Sequence, residues 1–118
     1  MIENISTTHP IARKNYFCDL CNDYILKGTK HECQVNKFDG DIYTWRGHEE
    51  CCKLASELDM YHECYYEEGL TDDFFCDFVS QYIIDNCLTE ENESEWDGLT
   101  TFEQVKKILE TLKSTDNG

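Results

Sequence analysis

Apolar and polar positions divide the chain into a strand-forming first half and a helix-forming second half. Residues 1–14 read as a polar leader, because Ile2, Ile5 and Ile11 stand isolated among polar neighbours. Tyr16-Phe17 and Tyr24-Ile25-Leu26 are short apolar arms on either side of a cysteine pair, a pattern that suits two strands around a turn. Lys27-Gly28-Thr29-Lys30 supplies a turn, after which His31 to Val35 is expected to pair back as the second arm of a hairpin. Asp39-Gly40-Asp41 is a further turn signal, and the β-branched and aromatic run Ile42-Tyr43-Thr44-Trp45 predicts another strand.

From His48 the period changes. Cys51, Leu54, Ala55 and Leu58 recur at spacings of three and four, which predicts a helix, and Glu49 and Glu50 suit the positive end of its dipole. Residues 59–70 show no clear period, with Tyr61, Tyr65 and Tyr66 set among acids. A second helix is expected from Thr71, an N-cap followed by Asp72 and Asp73, to about Asn86. Its residues Phe74, Phe75, Phe78, Val79, Tyr82 and Ile83 form one broad apolar stripe, expected to be core. Residues 89–98 read as an acidic loop whose one aromatic, Trp96, is expected to face solvent. Thr100 and Glu103 have capping-box spacing for a third helix, with Phe102, Val105, Leu109 and Leu112 on its buried side and a polar tail from Ser114. The prediction is an α+β fold in one domain over residues 1–118, with a finger at 16–58 and an acidic helical segment at 59–118.

Charge sharpens this division. The 118 residues carry a formal net charge of −15, and residues 54–105 hold fifteen Asp or Glu and no Lys or Arg, so the rest of the chain is neutral. A field of this sign repels nucleic acid and favours basic surfaces. No stretch approaches the roughly 20 apolar residues that a membrane helix needs, and the N-terminus lacks the apolar run of a signal peptide. The expected location is the cytoplasm, where thiols stay reduced, so the eight cysteines point to metal binding before disulfides.

Cys18-x-x-Cys21 in a tight turn brings two thiolates to one ion, and His48-x-x-Cys51 does the same from the first turn of a helix, where residues three apart share a face. Together they make a closed set of three sulfurs and one nitrogen. His31, Cys33 and Cys52 are rivals, as replacement ligands or parts of a second site. Cys52 lies about 100° around the helix from Cys51, so both cannot comfortably hold the same ion. Cys64, Cys76 and Cys87 read as buried packing.

A Cys-x-x-Cys turn, a hairpin, a Tyr/Trp strand and a helix opening with the second ligand pair follow in order. Residues 16–58 therefore resemble the treble-clef zinc fingers. The resemblance implies one structural Zn²⁺ held by Cys18 and Cys21 of the knuckle and by His48 and Cys51 of the helix.

A full ligand set argues against a catalytic metal, which keeps one position open for water. His48-x-Glu50 echoes zinc deaminases, but their downstream Pro-Cys-x-x-Cys is missing. Many treble clefs bind nucleic acid. Here, seven basic residues between 11 and 53 are offset by seven acids, and the attached half is anionic. The expectation is a non-enzymatic interaction module. Its acidic half would bind a basic surface of a nucleic-acid-processing protein and inhibit or modulate it, as small phage inhibitors of host defence such as anti-CRISPR proteins do. That comparison rests on size and charge. Tyr61, Tyr65, Tyr66, Glu67, Glu68, Asp72, Asp73 and Trp96 are the expected contact residues. The alternatives are an accessory or regulatory finger without nucleic-acid mimicry, and a nucleic-acid-binding treble clef.

Overall fold

The structure, a computed structural model, describes residues 3–60 and 70–116. Its longest ladder joins β4 (His31–Phe38) to β5 (Asp41–His48), in unbroken antiparallel register from His31↔His48 to Phe38↔Asp41. Between them Asp39 and Gly40 take φ of 53° and 88°, the mirror-image turn whose twist matches that of a hairpin. The expected turn is present, with Asp41 already in the strand.

Two expectations are corrected in this half. Residues 3–8 of the polar leader form a strand, β1 (Glu3–Thr8), on the other edge of β4, giving the sheet order β1-β4-β5. All six of its side chains are exposed. It is held through the backbone ladder, so no apolar alternation marks it in the sequence. β3 (Tyr24–Ile25) pairs with β2 (Tyr16–Phe17) around the cysteine turn, as expected; the second correction is that His31–Val35 does not return onto β3 but joins the other sheet. The knuckle itself reverses the chain. Cys18 N–H donates to the Asp23 carbonyl at 2.9 Å, Asn22 N–H donates to the Cys18 carbonyl at 3.0 Å, and Asn22 takes a left-handed φ of 65° that asparagine tolerates. Residues 28–31 instead meet residues 10–12, through Gly28 N–H to Ala12 O at 2.8 Å, Ala12 N–H to Thr29 O at 2.9 Å and His31 N–H to Pro10 O at 3.1 Å.

The helices are α1 (Glu49–Glu57), α2 (Asp72–Tyr82), which runs on into a π-helical turn at Ile83–Cys87, the single turn α3 (Glu93–Trp96), and α4 (Thr101–Asp116). Their starts follow capping chemistry. Thr71 Oγ1 accepts from Phe74 N–H at 3.3 Å, and Thr100 and Glu103 exchange reciprocal bonds at 3.2 and 3.0 Å. α4 continues to Asp116, past the expected start of the tail at Ser114.

Antiparallel strands followed by helices make this an α+β fold, as predicted. The core draws on both halves: Leu20 and Ile25 of the knuckle, Leu54 and Ala55 of α1, Phe75 and Val79 of α2, and Val105 and Ile108 of α4. Each large apolar side chain so buried contributes about 1.5–3 kcal/mol. The apolar stripe of α2 is divided. Phe75, Val79 and Ile83 are buried, whereas Phe74, Phe78 and Tyr82 are half-buried. Trp96 is also corrected: it is 7% exposed and packs on the core, with the Lys107 ammonium 5.1 Å from its ring centroid. Acidic neighbours suggested exposure, but one helical turn turns those acids outward while the indole faces in. Among the described residues no helix is long and apolar enough to cross a membrane.

Asp23 ties the knuckle to α4, its carboxylate accepting from Phe102 N–H at 2.9 Å in the first turn of that helix. Asp23→Ala is expected to lower stability by about 1–2 kcal/mol. Asp23→Asn, which keeps an acceptor, should lose less, both measured by urea denaturation at saturating metal.

Candidate metal centre

Four side chains converge where the knuckle, the end of β5 and the start of α1 meet. The Sγ atoms of Cys18, Cys21 and Cys51 and a ring nitrogen of His48 lie within 4.8 Å of one another, and all four residues are buried. His48 Nδ1 is 3.3 Å from Cys21 Sγ and 3.8 Å from Cys51 Sγ. Ligands about 2.3 Å from a tetrahedral ion would stand about 3.8 Å apart, so the spacing fits an ion at the centre.

The backbone sets this geometry. Asp19 and Arg46 tie the knuckle to β5 through Asp19 N–H to Arg46 O at 2.7 Å and Arg46 N–H to Asp19 Oδ2 at 2.8 Å. Two residues on, His48 N–H donates to Cys18 Sγ at 3.4 Å, and Cys21 N–H donates to the same sulfur at 3.5 Å. Between them Gly47 is required by space: an added Cβ would lie 2.6 Å from Cη2 of Trp45 and 3.2 Å from Cys52 Sγ.

His48 is oriented twice over. Its Nε2 lies 3.0 Å from the Tyr24 carbonyl, which can only accept, so Nε2 carries the proton and Nδ1 is left as the ligand. The Phe102 ring of α4 stacks on the imidazole at 3.6 Å between centroids and 13° between planes. The sequence put Phe102 on a buried helix face, and nothing local to it announces a partner 54 residues earlier in the chain.

Electrostatics also call for a cation. The Cys18 thiol is pushed far below its ordinary value, first by the Cys21 thiol and then by the Cys51 thiol donating to its sulfur. Its partners resist ionising: hydrogen bonding to Cys18 raises Cys21 to about 12 and drives Cys51 higher still. One thiolate is comfortable here, and three are not without a positive ion among them.

The rivals stand outside the cluster. His31 is buried and accepts from Arg46 Nη1 at Nε2, 2.8 Å away, while its Nδ1 faces Thr29 O at 3.2 Å. The Arg46 guanidinium lies 3.9 Å from the Tyr16 ring centroid, completing a packed support beneath the hairpin. Cys33 sits opposite Arg46 in the ladder and is half-buried. Cys52 is half-buried, its thiol raised by burial and then by the Glu32 charge. Cys76 and Cys87 are half-buried, and Cys76 Sγ donates to Leu20 O at 3.5 Å.

Of the expected contact residues, Tyr61, Tyr65, Tyr66, Glu67 and Glu68 lie outside the described residues, as does Cys64. Asp72 is half-buried and accepts from Asn22 Nδ2 of the knuckle at 2.8 Å, Asp73 is exposed, and Trp96 belongs to the core. No protein-family model matches this chain, and neither a curated protein nor a solved structure matches it.

Native mass spectrometry of the reduced protein should find one divalent ion per chain, lost in Cys18→Ser and in Cys51→Ser and kept in Cys33→Ser and Cys52→Ser. Phe102→Ala, which removes the stack on His48, is expected to weaken metal binding by roughly 10-fold, read from competition with a chromophoric chelator.

Proposed function

We propose that this chain is a zinc-stapled binding module of treble-clef type, without catalytic activity, whose acidic half docks on a basic surface of a nucleic-acid-processing protein and inhibits or modulates it. Three soft thiolates and one imidazole in a tetrahedral spacing suit Zn²⁺, and four buried ligands leave no open position for a reacting water. The order of knuckle, β4–β5 hairpin and α1 supports the treble-clef reading.

The observation that carries the binding role is charge placement. Residues 54–105 contain fifteen acids and no Lys or Arg, and Asp73, Asp77, Glu90, Glu91, Glu93, Glu95 and Asp97 of that stretch are exposed. Such a surface selects cationic partners and repels nucleic acid. Tyr61, Tyr65 and Tyr66 would serve as aromatic anchors by their place in the same stretch. Trp96, held in the core, would not. A phage-type inhibitor of a host nuclease in the cytoplasm is one form this role takes.

Affinity capture from bacterial lysate tests the role. The expected result is a basic nucleic-acid enzyme, retained at low salt, released as ionic strength shortens the screening length below about 8 Å, and displaced by DNA or RNA. Capture indifferent to salt and to nucleic acid would contradict it, leaving a metal-stapled fold with a solvated acidic surface.

A further inference from the structure

Three hollows run along the outer side of α2 and the π-helical turn. The largest, about 880 Å³, is walled by Phe74, Phe78 and Ile84 and edged by Asp73 and Asp77. A second, about 240 Å³, shares Ser80 and Ile84 with it and continues over Leu88 to Trp96, with Glu93 and Asp97 at its edge. A third, about 220 Å³, shares Phe78 and Gln81 with the first and reaches Asp85. Shared walls make them one furrowed face, and among the described residues no Lys or Arg lines any of the three.

The floor of this face is more apolar than a solvated acidic surface requires. Ile84 is 59% exposed and Leu88 37%, and the half-buried Phe74 and Phe78 rings lie 5.9 Å apart. The π-helical turn at Ile83–Cys87 lies along it, a distortion that recurs at functional sites. Trp96, nine-tenths buried, forms part of the wall of the second hollow and joins this face to the core.

We propose that this face receives a cationic amphipathic helix of a partner protein. The helix would seat its apolar row on Phe74, Phe78, Ile84 and Leu88, and its Lys and Arg flanks would meet Asp73, Asp77, Glu93 and Asp97. The inference rests on the reading that the acidic half binds a basic protein, and adds the place and shape of that contact. Charge complementarity excludes nucleic acid and anionic lipid as occupants. Phe74 and Phe78 stand four residues apart in α2, Ile84 follows in the π-helical turn that continues it, and Leu88 lies just past its end. The Phe74–Phe78 ridge accepts the i, i+4 row of another helix.

The test uses the metal-loaded, full-length protein and three labelled synthetic helical peptides, read by fluorescence anisotropy. The first carries Leu at i, i+4, i+7 and i+11 with Lys elsewhere on its surface, the second replaces those Leu by Gln, and the third replaces Lys by Glu. The first is expected to bind at least 10-fold more tightly than the second, and the third not at all. Ile84→Lys, at an exposed position that leaves the core intact, should weaken the first peptide at least 10-fold. Asp73→Asn with Asp77→Asn should weaken it more than the equal charge loss in Glu90→Gln with Glu91→Gln. Far-UV circular dichroism and metal content confirm that each variant is folded. Equal binding of the first and second peptides, or equal effects of the two charge-neutralised pairs with Ile84→Lys silent, would overturn the furrow while leaving the acidic-half reading standing. Failure of both cationic peptides to bind would overturn both. Self-association at micromolar concentration that Ile84→Lys abolishes would make the face a contact between copies of this chain and overturn the helix proposal.

Discussion

Three thiols and an imidazole are packed into one buried site, and their ionisation is set against itself: one sulfur gains charge only because its neighbours keep their protons. A divalent cation removes the conflict, and its energetic weight is large on the scale of the fold. A structural zinc ion contributes on the order of 10 kcal/mol, comparable to the whole net stability of an ordinary domain, about 5–15 kcal/mol. Much of the remaining architecture positions those four atoms. Asp19 and Arg46 lock the knuckle to β5, Gly47 lets Trp45 and Cys52 crowd the approach to His48, and Phe102 brings α4 onto the imidazole. The two strands of the knuckle have only two residues each, too little to hold themselves together, so the core under Leu20 and Ile25 does that work, and an ion held by the four ligands would add to it.

The ligand set was legible in the sequence because its chemistry is local. Each pair at a spacing of three needs only a turn or a helix start to bring its own two side chains together, and the caps at Thr71 and Thr100 are equally short-range, while the meeting of the two pairs depends on the β4–β5 ladder and the Asp19–Arg46 tie. Long-range and backbone-borne features were not legible. β1 buries no side chain, so it leaves no apolar pattern. The return of His31–Val35 onto β3 fails because the knuckle turn already gives β3 its partner in β2, and β4 pairs with β5 and β1 instead. Trp96 was misplaced because the charges around it described the outer side of α3 and not the inner one. Phe102 on His48, the Tyr24 carbonyl on Nε2 and the division of the α2 stripe are all tertiary facts. In that stripe, position along the helix separates rows that composition treats alike: Phe75, Val79 and Ile83 inward, Phe74, Phe78 and Tyr82 partly outward.

The two halves thus carry different physics. Residues 11–53 balance seven basic against seven acidic groups around a buried Cys/His cluster. The acidic half adds anionic edges and a partly uncovered apolar row to a helix whose other row is committed to the core. Packing of α1 and α4 around one shared cluster of buried side chains means that a metal bound at the four ligands would also support the acidic surface. Loss of the ion should therefore be felt beyond the finger, through Phe102 and Asp23 into α4.

X-ray absorption at the zinc edge on the reduced, purified protein addresses the centre most directly. Stoichiometric zinc in a shell of three sulfurs at about 2.3 Å and one nitrogen at about 2.0 Å is the result expected from Cys18, Cys21, Cys51 and His48 as placed. Protein that folds without stoichiometric zinc, or zinc in a shell of oxygen and nitrogen only, would contradict the proposed centre.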